Sequence, residues 1–471
     1  MGMNKLLLPF LLLSLAFFLP AQQPVGRQNA PLPDSIITDQ GSRRIEDDSA
    51  LRAALLNDWF IETPGRVQSK RPETHTLQGG ARIQVRSESK GNEFCVVLAR
   101  ELRGYVPAAA GNAFPGWAQG SWVLTRSKSD GAPLRIRVFL RSDPYTYIQF
   151  RPFTSDKCQM DVVIYEAYVI QSLPLAVSFD RLLVLPVEEI LSLAGNRFPR
   201  KYFDPEPDMY RDKRTFIEAV RSRLPQLNFK DDGAIDQNGN YVFIETLDYQ
   251  NPAAPNLTGV LNCSGFVKWI IDGILKPHTG ERLPVAPLKT AFNNRGSTFT
   301  DAWDHIKDPF FGLDWNRNLA SRAASVLRSP AFATLEQFEV RTWPFSQVII
   351  RQEDVSEVRP YPGFLNDAGF GIEGLYPLLY TLAIDEPDRI YLAAVNTEIG
   401  APVTPQNWRG LPKMRQYFHV AVLVPFFNEY GNFQIVVFES ADETSFNFFR
   451  NRYPGHYVNL VKIPIDGKFS P

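Results

Sequence analysis

The chain has 471 residues, enough for two or three domains and a large core. Its 44% apolar and 21% charged residues describe an ordinary globular protein, and 34 Phe with 37 Pro favour strands and loops over helices. A net charge of −1 with no Lys/Arg-rich run argues against nucleic acid or an anionic membrane as the main partner.

In chain order, residues 1–21 read as a signal peptide. Lys5 is a short basic region, 6–19 an apolar stretch, and Leu19-Pro20-Ala21 a cleavage site before Gln22. The apolar run is shorter than the ~20 residues that span a bilayer, and no later run replaces it. The expected location is therefore periplasmic or extracellular, with no transmembrane span. Residues 22–72 are a lead-in, with an amphipathic helix over 48–60 through Leu51, Leu55, Leu56 and Trp59.

Strands dominate 73–180, at 81–88, 94–100, 122–127, 134–141, 145–150 and 160–170. Turns fall at Ser129-Asp130-Gly131 and Ser142-Asp143-Pro144. This pattern predicts an all-β sandwich or small barrel. Residues 181–225 form a helical connection, with helices at 187–194 and 208–224. A final domain over 226–471 carries helices at 263–275 and 315–327 and strands at 389–395, 419–425, 433–439 and 457–463. An insertion spans about 280–385. Its segments 301–305, 313–320 and 366–374 are candidates to line a groove, with packing as the commoner role for such residues. Residues 231–239 fail the register of a calcium loop and read as a hairpin turn.

The stretch Leu-Asn-Cys-Ser-Gly-Phe-Val-Lys-Trp-Ile-Ile (261–271) predicts a helix that opens on a cysteine. Asn262 is a suitable N-cap, and Phe266, Val267, Ile270 and Ile274 share one face. A cysteine in the first turn meets unpaired N–H groups and the positive end of the helix dipole, which lowers a thiol pKa. Gly265 leaves the helix start uncrowded. Later, 417–424 and 433–440 are β-branched runs around a turn at 427–431. A turn centred on Glu429 sets His419 opposite Glu439, close enough for a carboxylate to hold an imidazole. A shifted turn makes Asp442 the alternative third residue. A thiolate that attacks an amide, an imidazole that stabilises it and protonates the leaving amine, and an acid that orients the ring form one chemical set. The Cys263 backbone N–H is a candidate oxyanion donor.

Asn262-Cys263-Ser264-Gly265-Phe266-Val267, followed by the His419 strand and the Glu439 strand, resembles the NlpC-type cell-wall peptidases of the papain-like cysteine peptidase superfamily. The resemblance covers about a quarter of the chain, in two pieces. It implies an α+β papain-like catalytic domain after the all-β domain, no cofactor, and catalysis by Cys263, His419 and Glu439. Members often carry an upstream tyrosine, for which Tyr249 is the candidate, although the glycine pair beside it is absent. Asn262 stands where the family has Asp, and the interval from Cys263 to His419 is longer than in compact members.

Three cysteines in an exported chain leave one thiol over, and a Cys95–Cys158 disulfide would leave Cys263 free. Two unpaired thiols are the equal alternative. Five histidines and no Cys/His cluster leave no metal site to assign. The expected function is an exported cysteine hydrolase that cleaves an amide bond in peptidoglycan peptide or an envelope protein. Its β domain would have a glycan or protein ligand. The alternatives are a papain-like acyl or transglutaminase-type transferase, and a non-catalytic envelope-binding protein on a degenerate papain-like scaffold.

Overall fold

The computed structural model describes residues 48–101, 120–141, 145–251, 259–293, 309–352, 355–398 and 415–471. The signal-peptide reading of 1–21 and the segment 301–305 lie outside the described residues.

Helix α1 (Ser49–Leu55) starts where the Asp48 carboxylate accepts from the Leu51 N–H at 2.7 Å, and runs into a π-turn over Leu56–Phe60. It is followed by α2 (Pro64–Ser69). Eight strands come next: β1 (Glu73–Thr76), β2 (Arg82–Lys90), β3 (Glu93–Arg100), β4 (Trp122–Ser127), β5 (Pro133–Val138), β6 (Thr146–Pro152), β7 (Cys158–Ile164) and β8 (Ala167–Leu175). They pair antiparallel in sequence order. Alternation puts Val85, Phe94, Val96, Leu124, Ile136, Ile148, Phe150 and Met160 on one buried face. Helices α1, α3 (Phe179–Leu182) and α4 (Val187–Ser192) supply Leu55, Leu182 and Ile190 to the same core. The buried Arg52 donates to the carbonyls of Leu183 and Leu185 and lies over the Trp122 ring at 4.0 Å.

Two expectations change here. The expected strand 160–170 is the hairpin β7–β8, turned by Tyr165 and Glu166 with φ of 44° and 69°. Neither residue is an ordinary left-handed turn residue, so local chemistry gave no signal. The Tyr165 ring instead packs on Tyr376, Tyr380 and Phe433, at 4.6, 5.3 and 6.0 Å between centroids. Nor is the region a sandwich or small barrel. It is one open antiparallel sheet, and its last two strands come from the expected insertion: β13 (Gln347–Gln352), which pairs with β8, and β14 (Val355–Pro360).

After β8 and the two short helices comes α5 (Arg211–Arg221). Short pairs follow: β9 (Asn228–Phe229) with β12 (Val260–Leu261), and β10 (Ala234–Ile235) with β11 (Tyr241–Val242). The second pair is the hairpin expected at 231–239, its turn closed by Asp236 accepting from the N–H groups of Asn238 and Asn240. Then come α6 (Cys263–Thr279), α7 (Phe311–Leu327), α8 (Leu335–Phe338) and α9 (Leu375–Asp385). A second antiparallel sheet is ordered β15 (Phe370–Gly371), β20 (Tyr457–Pro464), β16 (Arg389–Glu398), β17 (Arg415–Phe427), β18 (Phe433–Glu439), β19 (Asp442–Ser445). The last helix is α10 (Phe446–Arg452).

Helices α6 and α7 pack on each other and on this second sheet. The fold is α+β with two large antiparallel sheets, and all described residues belong to one unit, 32–471. Among the described residues no helix is long and apolar enough to cross a membrane.

Candidate active site

The start of α6 is built by a short-range motif and a close approach. The Asn262 side chain accepts from the Gly265 N–H at 2.8 Å and donates to the Asp231 carbonyl at 3.3 Å, while its own N–H donates to Gly233 O at 3.0 Å. A Cβ on Gly265 would stand 1.9 Å from that same Gly233 oxygen. Glycine at 265 is therefore required by the chain passing over the helix rather than by a substrate. One turn on, the buried Lys268 Nζ bonds Asp272 at 2.6 Å and Ile235 O at 2.7 Å, and Asp272 accepts from the Leu283 N–H at 2.8 Å. The helix is thus clamped to the β10–β11 hairpin. The Trp315 indole of α7 donates to Ser264 O at 2.9 Å and fixes the first turn from the other side.

Cys263 is the first residue of α6 and is half-buried. His419, the Val420 backbone and the Ser264 side chain stand around its thiol and each acts to lower its pKa. His419, on β17, is 8% exposed, and its Nε2 lies 2.7 Å from Glu439 Oε2. That leaves Nδ1 for the thiol. Glu439 ends β18 and is 1% exposed; its Oε1 accepts from Thr444 Oγ1 at 2.9 Å, with Arg452 Nη1 at 3.9 Å. The Tyr453 ring covers the imidazole, 5.5 Å between centroids.

The electrostatics follow from these contacts. Burial pushes the Cys263 thiol up, but the hydrogen bond and charge of His419, with the Val420 and Ser264 bonds, bring it below its ordinary value. Burial pushes His419 down, but its bonds to Cys263 and Glu439 outweigh this and raise it to about 9. Burial pushes Glu439 up, and the His419 bond and charge with the Thr444 bond hold it below the usual range. The set favours a thiolate–imidazolium pair backed by a carboxylate.

Sequence spacing anticipated the contact between His419 and Glu439, but with the wrong register. The ladder pairs Phe427 with Phe433 and Leu423 with Val437, which centres the turn on Tyr430, not Glu429. The last pair is Val422 with Phe438, so position 419 would face Ala441 if the ladder continued. His419 reaches Glu439 diagonally, across the open end of the ladder. Asp442, the alternative third residue, opposes Glu439 across the β18–β19 turn and accepts from the Glu443 N–H at 2.8 Å. It does not reach His419 by that route.

The remaining candidates separate. Tyr249 is 65% exposed, its backbone bridges Val242, and among the described residues its hydroxyl has no hydrogen-bond partner. Its neighbour Gln250 is the buried one, tying Val242 and Val260 together. The Cys95–Cys158 disulfide is absent and both thiols are free. Cys158 lies in the inner core, whereas Cys95 alternates outward to Thr125 Oγ1 at 3.5 Å. Three strands separate β3 from β7, roughly 15–20 Å at the usual spacing. A disulfide needs about 7 Å or less. Residues 313–320 are packing: Trp315 and Arg317 are buried, and Arg317 pairs with Glu339 at 2.6 Å and Asp367 at 2.9 Å. Thr444, Tyr453, Arg452 and Trp315 surround the site without a signal in sequence, apart from Thr444 lying one strand-turn beyond Glu439.

Residues 41–202 match a family model described as a domain of unknown function, DUF8515. The match spans about a third of the chain, from within the lead-in to just past α4, and all three candidate catalytic residues lie outside it. No curated protein and no solved structure matches the chain.

Proposed function

We propose that the protein is an exported papain-like cysteine hydrolase that cleaves an amide bond in peptidoglycan peptide. The observation that carries the chemistry is the junction at the start of α6: His419 beside the Cys263 thiol, whose pKa it lowers, and itself bonded to Glu439 at 2.7 Å. The thiolate attacks the amide carbonyl, and the oxyanion faces the Cys263 N–H, which as a first-turn group has no partner within the helix. The C–N bond breaks as the imidazolium gives its proton to the departing amine. Water, deprotonated by the now neutral imidazole, releases the thioester. The choice of cell-wall peptide rests on the resemblance of residues 262–267 to the NlpC-type motif, together with the leader-like residues 1–21.

The test is incubation of the purified chain with peptidoglycan fragments, read by mass spectrometry for a new free amine and carboxylate. Cleavage by the wild type that is lost in Cys263→Ala and His419→Ala supports the reading. Products carrying an added amine in place of water would make it a transferase. No turnover, with Cys263 unreactive toward thiol reagents, would make the site a degenerate scaffold.

A further inference from the structure

The carboxylate of Glu439 is held at both oxygens. Oε2 faces His419 Nε2 at 2.7 Å, and Oε1 accepts from the Thr444 hydroxyl at 2.9 Å. Arg452 is 3.9 Å from Oε1, beyond direct hydrogen-bond range, and lies 5.5 Å from the centroid of the Tyr453 ring. We infer that Thr444 is a positioning residue: its hydroxyl fixes the rotation of the Glu439 carboxylate and, through it, the plane and tautomer of His419. This role rests on the Cys–His–Glu reading above.

The hairpin that carries Thr444 is built for the purpose. Ser440 and Ala441, with φ of 52° and 61°, form a two-residue turn in a region that glycine and asparagine ordinarily fill. No glycine relieves it, and it lies directly beside the site, where such strain persists only if the surroundings impose it. The turn pairs Glu439 with Asp442 and Val437 with Thr444, so Glu439 and Thr444 are diagonal neighbours on one face. Glu443, on the opposite face, is gripped by both arms of Arg221 on α5, each at 2.6 Å. The back of the hairpin is pinned, and its front presents one hydroxyl to a carboxylate that is 1% exposed. Without that hydroxyl the buried Oε1 loses its short partner, and the carboxylate is free to turn away from the imidazole. Serine can replace threonine in this role; valine, of the same shape, cannot.

The experiment uses the full chain and follows iodoacetamide alkylation of Cys263 by peptide mass spectrometry across pH. Thr444→Val should slow alkylation at pH 6 by about three- to tenfold, the worth of one hydrogen bond. It should also shift the acid limb of the profile upward, because a less well held imidazolium protects the thiolate less. Thr444→Ser should restore both, and Thr444→Ala serves as a second hydroxyl-free variant should valine impair folding. At alkaline pH, where any exposed thiol ionises, all variants should react alike, which separates positioning from a collapsed site. If Thr444→Val and Thr444→Ala superimpose on the wild type while His419→Ala abolishes acid-side reactivity, the role of Thr444 is wrong and the triad stands. If the wild-type thiol itself is unreactive below pH 7, the triad reading fails and this role with it.

Discussion

The three cysteines differ by environment rather than by type. Burial pushes the Cys95 thiol up and Cys158 up to about 11, while His419 and two further hydrogen bonds bring Cys263 down. At pH 6 the native protein should therefore label at Cys263 alone, and Cys95 and Cys158 should label only after denaturation. The pH window follows from the same directions. Acid titrates the thiolate, and alkali removes the imidazolium proton near 9, so hydrolysis should fall at both ends while simple alkylation falls only in acid. Labelling of Cys158 ahead of Cys263 in the folded state would contradict this. Among the carboxylates, Glu439→Gln keeps an acceptor but loses the charge that raises His419, so turnover should drop yet exceed that of His419→Ala. Asp442→Asn should leave turnover near wild type, because Asp442 serves its own turn. The reverse order of these two variants would move the third catalytic role to Asp442.

At the scale of the element, the helix that opens on Cys263 is placed by backbone proximity. Gly265 touches Gly233 O, and Lys268 bonds Ile235 O one turn along the same hairpin. Gly265→Ala should push the β10–β11 hairpin off the helix start, costing about 1–3 kcal/mol as overpacking does. Because Asn262 is bonded to the same segment, Cys263 reactivity at pH 6 should fall as well. Urea denaturation and alkylation rate on the same sample check this; an unchanged midpoint would mean the hairpin yields freely. The helix also outruns its expected end at 275. It continues through Pro277 to Thr279 and stops at Gly280 with φ of 77°, the left-handed cap.

Across the whole molecule, α5 lies against the second sheet through a buried amine. Lys213 is 1% exposed and donates to Pro425 O at 2.8 Å. Burial pushes it down to about 7, partly opposed by Asp388 and Glu386. Between that value and the unfolded value near 10.4, the unfolded chain holds more protons, so this penalty is full below about pH 7 and fades as pH rises. Lys213→Met should therefore stabilise the protein at pH 6 by about 1–3 kcal/mol after the lost hydrogen bond, with the gain vanishing toward pH 10. Urea midpoints at the two pH values measure it, and a pH-independent difference would exclude the mechanism. The two sheets are joined in turn by rings, with Tyr165 of the first sheet seated among Tyr376, Tyr380 and Phe433.

What the sequence determined by itself was whatever depends on near neighbours. The alternation of β2 to β6, the Asn262 cap, the start of α6 at Cys263 and the strands that carry His419 and Glu439 all follow from local period and capping. Where tertiary contact outweighs local preference, the sequence was silent. Tyr165-Glu166 and Ser440-Ala441 adopt left-handed turns that nothing in their composition demands, one held by packing rings and one beside the buried Glu439. The strands at 347–360 join a sheet begun more than 250 residues earlier, because edge hydrogen bonds are indifferent to separation along the chain. The cysteine pairing failed for the same reason: strand parity points Cys95 outward and Cys158 inward, and which face is the core is decided only when the helices cover it. The contact between His419 and Glu439 needed both levels. Spacing brought the two strands together, but the register was set by the Asn428–Asn432 turn, and the diagonal reach exists only because the ladder stops at Val422 and Phe438.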